Sequence, residues 1–556
     1  MIPSTRTRSA AMTIAMAALL LNGCNGLREY VHNGCKVGPN YCVPDGPAAA
    51  RWIEDADGRL RQDARDLSCW WSVFQDPVLD ELIANAQVQN LSLREAGFRV
   101  LQARAQLGIA RGNLFPQSQY ASGSARRTGT PVGPPMPFTV ESEGATYQFN
   151  LSSGNNFVSQ WNDGFSLAWE LDFWGRYRRA IASAANTLEA SAAGYDEVLV
   201  TLLGDIAATY VQIRTLETRI EFVQQNIAEQ QKIARIVREL HEIGDPRPER
   251  RLQQPRRYHV DQIESILAQT ESAVPQLRIE LRVACNRLCV LLGIPPQDVQ
   301  HELGPGRIPT APREVVVGIP ADLLRRRPDI RRAERQVAAQ AEQIGIATAE
   351  FFPSITISGT LGYSAPEFQQ LFTSQALNAN VGPSFRWNLL NYGRILNNVR
   401  AQDAHFHELL VRYQNMVLQA NAEVENGLVQ FLRAQERAVA LDRSVAHMQR
   451  AVAGIEGARE LRGADANQIA IITQTKVQQQ DLQAQSHGEI AQGLIQVYRA
   501  LGGGWEIPPL PNAAMPSEPS PADLPPAEVL PTPSGEDPHA AESSSSPRIV
   551  EDQVTG

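Results

Sequence analysis

Phe115-Pro116 opens a polar, alternating stretch of this chain, and Phe352-Pro353 opens another. Phe173-Trp174-Gly175-Arg176 ends an aromatic strand pattern, and Asn391-Tyr392-Gly393-Arg394 ends its counterpart. After each Gly-Arg comes a helical pattern of about 70 residues, closing at Gly244 and at Gly463. A strand pair feeding a very long helical hairpin, stated twice, cannot bury its apolar faces as one ordinary globule. The chain therefore reads as a wall segment of something larger.

The periodicities fill in the unit. Residues 78–111 read as one helix, 115–129 as a strand and 130–160 as a Pro/Gly/Asn/Ser loop. Phe165, Leu167, Trp169, Leu171 and Phe173 alternate with Ser166, Ala168, Glu170 and Asp172, a strand with one apolar and one polar face. Residues 175–243 carry two apolar heptad registers, one through Leu188, Tyr195, Leu202, Leu216 and Val223, the other through Leu199, Ile206, Ile213, Ile220 and Ile227. Sustained double heptads imply coiled-coil packing. A return helix over 249–292 is interrupted by Pro275, and 293–320 form a connection with the β-branched run Val315–Val317. The second copy reads as a helix over 329–350, strands over 354–363 and 381–390, a long helix over 393–462 and a return helix over 467–501. The Gln and Asn residues of the long helices read as a water-facing wall.

Seventy helical residues span about 105 Å, and return helices of about 44 and 35 residues span about 66 and 53 Å. The strand-proximal half of each long helix thus needs a second partner, which the helices at 78–111 and 329–350 supply. Four strands of about ten residues suit a membrane β-barrel wall but cannot close alone. The fold class that follows is mainly α with a membrane β-barrel part, internally duplicated, with several chains closing one tunnel. Helices this long and polar stand in water, so the assembly is a conduit.

Composition narrows the classes. The net charge is −9, but the tail from Glu506 carries nine acids against Arg548 alone, so the body is near neutral and shows no nucleic-acid footprint. Arg6 and Arg8 precede a short apolar run, Ala10 to Leu21, well under the roughly 20 residues that span a bilayer. It ends Leu21-Asn22-Gly23-Cys24, which resembles a bacterial lipobox with Cys24 as the lipidated residue; a plain secretory signal with a chance cysteine is the alternative. Export allows one disulfide among Cys35, Cys42 and Cys69. Cys285 and Cys289, four apart on a helix, read as packing residues. No nucleophile–base, phosphate or metal motif is present: His405 and His407 diverge on a helix, so neither an enzyme nor a cofactor is expected. The domain reading is 1–23 signal peptide, 24–76 extended segment, 77–318 first repeat, 319–505 second repeat and 506–556 disordered Pro/Ser/acidic tail.

Pro320-Ala321-Asp322-Leu323-Leu324-Arg325-Arg326-Arg327-Pro328-Asp329-Ile330-Arg331, with Ala333-Glu334, Ile344-Gly345-Ile346-Ala347 and Phe352-Pro353-Ser354, resembles the signature stretch of the outer membrane efflux family, the TolC-like channels. More narrowly it is similar to the NodT-type lipoprotein factors that serve resistance-nodulation-division pumps. Val37-Gly38-Pro39-Asn40-Tyr41, Trp70-Trp71, Leu291-Leu292-Gly293 and Tyr498-Arg499-Ala500-Leu501-Gly502-Gly503-Gly504-Trp505 resemble further motifs in the same order. The resemblance implies a homotrimer of twelve strands in outer membrane lipid. Its implied partners are a periplasmic adaptor (membrane fusion) protein and an inner membrane resistance-nodulation-division transporter. It implies passive export of drugs, metals or other small molecules. An exit duct for peptide or protein secretion, built on the same fold, is the alternative.

The resemblance also directs attention to the periplasmic tips. Where relatives carry an inward carboxylate after the second tip, Thr473 stands here. Asp465 reads as the cap of the return helix, with an aperture role as its alternative. At the first tip, beyond Gly244, Arg251 takes the place of the family's acid among Arg247, Arg250, Arg256 and Arg257 and three prolines. That tip is expected to be basic and locally non-helical, with simple drift as the competing account. Arg325–Arg327 are expected to pair with acids at the following helix start and on a neighbouring subunit. Trp161, Trp169 and Trp174 suit either an interfacial belt or packing between subunits.

Overall fold

The computed structural model describes residues 30–47, 49–61, 67–129, 136–142, 145–151, 157–243, 257–317, 326–457 and 466–506. Eight helices are used below: α1 (Pro77–Gln89), α2 (Leu91–Gly112), α3 (Arg176–Ile243), α4 (Arg257–Leu292), α5 (Gln300–Leu303), α6 (Pro328–Ala349), α7 (Arg394–Gly457) and α8 (Ala466–Ala500). The strands are β1 (Leu60–Arg61), β2 (Ser118–Gly129), β3 (Met136–Ser142), β4 (Ala145–Leu151), β5 (Phe157–Leu171), β6 (Val315–Val316), β7 (Ser354–Ala365) and β8 (Leu377–Arg386).

Two helices stand where the periodicity suggests one. Asn90 takes an extended backbone, ψ 126°, and its side chain accepts the Leu93 amide, so the chain stops α1 and restarts as α2 within one residue. α4, conversely, runs through Pro275 instead of breaking there. One missing helical hydrogen bond is outweighed by side chains buried on both sides, among them Ile263, Thr270, Leu277 and Leu281.

The helices form a layer. α3 packs against α2 and α4 along one flank and against α6 and α8 along the other, and α7 packs against α6 and α8. Each long helix is thus lined by two shorter ones placed end to end. At 68 residues α3 is about 100 Å long. The largest core lies part-way along it, where Leu203, Ile206 and Tyr210 meet Trp70, Trp71 and Tyr498. Cys285 and Cys289 are buried in that core as packing residues, while Cys35, Cys42 and Cys69 are free thiols.

β2, β5, β7 and β8 make one antiparallel sheet in that order, so β5 and β7 join the two repeats. β5 begins at Phe157, and a β3–β4 hairpin occupies part of the stretch read from sequence as loop. β8 sits four residues earlier than its pattern suggested. The described residues ahead of α1, from Tyr30 on, run as a strap. Val37 N–H donates to the Trp174 carbonyl at 3.1 Å, Ile53 N–H to Glu425 at 2.9 Å, and β1 pairs in parallel with β6. The β-branched run at 315–317 finds its partner there.

Candidate functional site: a two-faced sheet and a polar helical seam

β7, β8 and the Phe165–Leu171 part of β5 carry two chemistries in alternation. Register pairs Leu171 with Ile355 and Ile355 with Phe385, and the same face continues through Trp169, Ile357, Leu361, Phe165 and Val381. The opposite face presents Ser118, Ser122, Asn162, Ser166, Thr356, Thr360, Asn380 and Ser384. Leu371 and Ala376 cover the apolar face at its upper end, around Ala365 and Trp161; below that it has no cover among the described residues, and Val381 is 79% exposed and Phe385 76%. A sheet in water hides its apolar side and wets its polar side. One that leaves the apolar side bare is built for hydrocarbon outside and water inside. β2 and β8 are its two edges, each lacking a second neighbour among the described residues. Membrane strands do not leave edges open.

Tryptophans mark the end of the sheet next to the helices. Trp174 stacks on Phe352 with centroids 4.5 Å apart and donates to the Pro353 carbonyl at 2.9 Å. Trp169 donates to the Leu114 carbonyl at 3.1 Å, and Trp387 to that of Phe351 at 2.9 Å. At the far end Trp161 meets Phe368 edge-on at 5.2 Å. Aromatic rings gather at both limits of the apolar band, those at the helix end with their indole N–H groups bonded, as interfacial belts do. The corners repeat as the sequence does: Gly175 and Gly393 both have left-handed backbones, φ 79° and 80°.

Below the corners the wall is held by polar contacts. α3 and α8 are joined by Arg219–Asp481 at 2.6 Å, by Asn226 donating to Gln480 at 2.7 Å and by a Glu229–Lys476 ion pair. Asn226, Gln230, Lys476 and Gln480 are buried. These residues correct the reading of the long-helix amides as a purely water-facing wall, since several lie inside the seam. α7 and α8 share Gln483–Asp442 at 2.8 Å and His487–Asp442 at 3.0 Å. Higher up, burial pushes the Asp196 carboxyl to about 6 although Arg331 lies 3.8 Å away, and burial likewise raises Glu197. Burial also pushes the Tyr210 hydroxyl to about 12 as it donates to Asp76 at 2.8 Å.

Of the residues singled out from sequence, Cys24, Gly244, Arg251, Gly463 and Asp465 lie outside the described residues. Thr473 is described: it is buried beside Gln230, Ile233, Ile263, Ile266 and Ala470 around a void of about 10 Å³. Arg327 pairs with the acid at its own helix start, Asp329, at 2.7 Å, and with Glu423 at 2.8 Å. His405 and His407 each face a single carboxylate, Glu408 and Asp403, and no metal-holding cluster occurs among the described residues. The seam residues went unnoticed in the sequence; the only available signal was charge and amide at inward heptad positions.

A lipid-facing sheet continued by water-exposed helices about 100 Å long defines the wall of a membrane-spanning duct. The family described as "Outer membrane efflux protein" matches residues 82–284 and 319–503, and the chain belongs to that family. It is 30% identical to nodulation protein T of Rhizobium leguminosarum bv. trifolii over 74% of this chain and 82% of that protein. It is 28% identical to the pyoverdine export outer membrane protein OpmQ of Pseudomonas aeruginosa over 89% of this chain and 97% of that one. The outer-membrane channel OprN superposes with a TM-score of 0.74 at 30% identity, over 84% of this chain and 99% of OprN.

Proposed function

We propose that the chain is the outer membrane channel of a tripartite efflux system, a passive trimeric conduit carrying small molecules from the periplasm to the exterior. The bare apolar face of an antiparallel sheet with two open edges, joined to helices about 100 Å long, carries this reading. Three copies supply twelve strands and close both the barrel and the helical tube. The pyoverdine export protein OpmQ supports an export role by its similarity along nearly the whole chain. A periplasmic adaptor protein and an inner membrane resistance-nodulation-division transporter complete the path. No step of this function requires bond chemistry; the wall excludes lipid and offers the solute a polar bore.

Cys24 carries the lipid anchor. Tyr30 donates to the carbonyl of Phe173 at the membrane-proximal corner, and six residues reach at most about 20 Å. An acyl chain on Cys24 therefore enters the same leaflet that the corner tryptophans mark. The tips beyond Gly244 and Gly463 hold the adaptor contact and the aperture, where Arg251, Asp465 and Thr473 set the charge and packing.

Deleting the gene and measuring susceptibility across compound classes tests the proposal. Sensitisation to several small molecules is expected. Unchanged susceptibility together with loss of a secreted peptide would replace efflux by a secretion duct. Conductance of the purified trimer carrying Arg251→Asp tests the tip: an unaltered ion selectivity removes Arg251 from the aperture.

A further inference from the structure

Each repeat places two half-length helices end to end beside its long helix, and the two joints are built alike. In the first, α4 ends before Gly293 and α2 begins after Asn90; in the second, α8 ends before Gly502 and α6 begins after Arg327. Gly293 and Gly502 have φ 75° and 73°. Gly293 N–H donates to Val290 and Ile294 N–H to Cys289, and the pattern recurs from Gly502 to Arg499 and from Gly503 to Tyr498. This is the left-handed helix ending that leaves nearby carbonyls in search of donors. Asn90 and Arg327, the residues that open the other helix of each joint, have φ/ψ of −62°/126° and −63°/124°.

The side chains then complete the match. Asn90 Nδ2 donates to the Leu291 carbonyl at 2.7 Å, and Arg327 Nη1 donates to the Ala500 carbonyl at 2.7 Å. Leu291 and Ala500 stand two residues before Gly293 and Gly502. The amide of the third residue of the opening helix is capped in both joints: Leu93 N–H by Asn90 Oδ1 at 2.8 Å, and Ile330 N–H by Asp329 Oδ1 at 2.9 Å. Arg327 grips that same Asp329 through Nε at 3.1 Å and Nη2 at 2.7 Å. Asn90, Arg327 and Ala500 are buried and Leu291 partly so, so a carbonyl left without its donor is poorly hydrated.

We propose that Asn90 in the first repeat and the Arg327–Asp329 pair in the second are equivalent splices that turn stacked half-helices into continuous rods of the tunnel wall. One asparagine donates to the ending helix and accepts from the opening one; in the second repeat the donor and acceptor roles fall to two ion-paired residues. The second splice does one thing more. Arg327 Nη2 also reaches Glu423 of α7 at 2.8 Å, tying the joint sideways to the long helix, and half of the Glu423 side chain is exposed. These are positioning residues: they set the level at which the helices of each repeat abut.

Hydrogen exchange on the full-length assembled protein, read on peptides covering each joint, tests the assignment. Asn90→Ala should raise exchange at Leu93 and Ile294 by about tenfold or more and leave Ile330 and Gly503 unchanged, and Arg327→Ala should do the reverse. Arg327→Asn should recover the protection that Arg327→Ala loses, because asparagine performs both roles at the other joint. Added salt should loosen the second joint and not the first, and Glu423→Gln should reduce that salt dependence, because the Arg327–Asp329 pair that remains is more buried and less screened. If Arg327→Ala does not assemble, Arg327→Asn combined with Asp329→Ala decides. Assembly with normal protection supports interchangeable splices, and failure or exposure overturns them. Arg327→Asn as unprotected as Arg327→Ala, both joints loosening together, or a salt response undiminished by Glu423→Gln would each overturn the proposal as well.

Discussion

Adjacent residues of β8 should answer to opposite rules. From Ile355 to Tyr363 the apolar face of β7 rises eight residues, about 26 Å along the strand and about 19 Å along the membrane normal at a tilt near 45°. Gly359 is the midpoint, and Val381 is its register partner. Val381 therefore sits at mid-membrane depth, and at 79% exposure it has little intrachain packing to lose. Val381→Arg places a guanidinium in hydrocarbon at about 2–4 kcal/mol per chain, or about 6–12 kcal/mol for three chains. Asn380→Arg points the same group to the polar face, where the insertion cost is near zero and the bore gains positive charge. Urea titration of folding into short-chain lipid vesicles reads the first effect, and reversal potentials in planar bilayers read the second. Val381→Arg should lower the midpoint strongly and leave selectivity alone; Asn380→Arg should shift selectivity toward anions at an unchanged midpoint. Equal midpoint shifts for the two variants would refute the assignment of faces.

Three further outcomes follow from named groups. Asp196, raised to about 6 by burial, holds its proton more tightly folded than unfolded. Its contribution to stability therefore rises as pH falls from 7 toward 4, and Asp196→Asn should flatten that part of the melting-temperature profile. Cys42 and Cys69 are exposed and should react with a maleimide in the folded protein, whereas Cys285 and Cys289 should react only after denaturation. Asn226→Leu strands the Gln480 amide inside the α3–α8 seam and should destabilise by about 1–3 kcal/mol; the double variant with Gln480→Leu should recover most of it, measured by chemical denaturation.

The parts of the fold that repeat at fixed period were open to reading, because a heptad or an alternation states its partner face directly. α3, α7 and the apolar face of β5 are such cases. Elements made by pairing rather than period were not. β1 and β6 join residues some 250 positions apart, and neither dipeptide announces a strand alone. The β3–β4 hairpin sits among prolines and glycines that suggested only loop. The break at Asn90 lies between two good helix formers, and a side chain bonded to a distant carbonyl makes it. The seam was hidden for a related reason: Asn226, Gln230 and Gln480 look solvated until the helix that buries them is in place. Arg327 was expected to pair with an acid at its helix start, and it does, but its bond to Ala500 depends on where α8 ends.

The duplication also says how copies join. Within the chain, the long helix of the first repeat packs against the stacked helices of the second, and the last strand of the first sheet half pairs with the first strand of the other. The same relation carried onward sets α7 of one copy against α2 and α4 of the next, and β8 against β2. Both edges are prepared for it. α7 exposes Val411, Leu418, Val429 and Val439, α2 exposes Phe98, Leu101 and Ile109, and α4 exposes Ile279, Val283 and Val290. Unlike edges give a head-to-tail contact, which closes as a ring when the rotation permits. Val411 lies 17 residues below the start of α7, about 26 Å, and Phe98 lies 14 residues before the end of α2, about 21 Å, so the two meet within one helical turn. Val411→Glu and Phe98→Lys should each weaken every interface of the ring by about 1.5–3 kcal/mol or more, since each forfeits a buried apolar side chain and strands a charge. Light scattering in detergent should then report monomer where the parent protein is trimer. An unchanged mass for both variants would show that these edges face solvent and that the wall closes some other way.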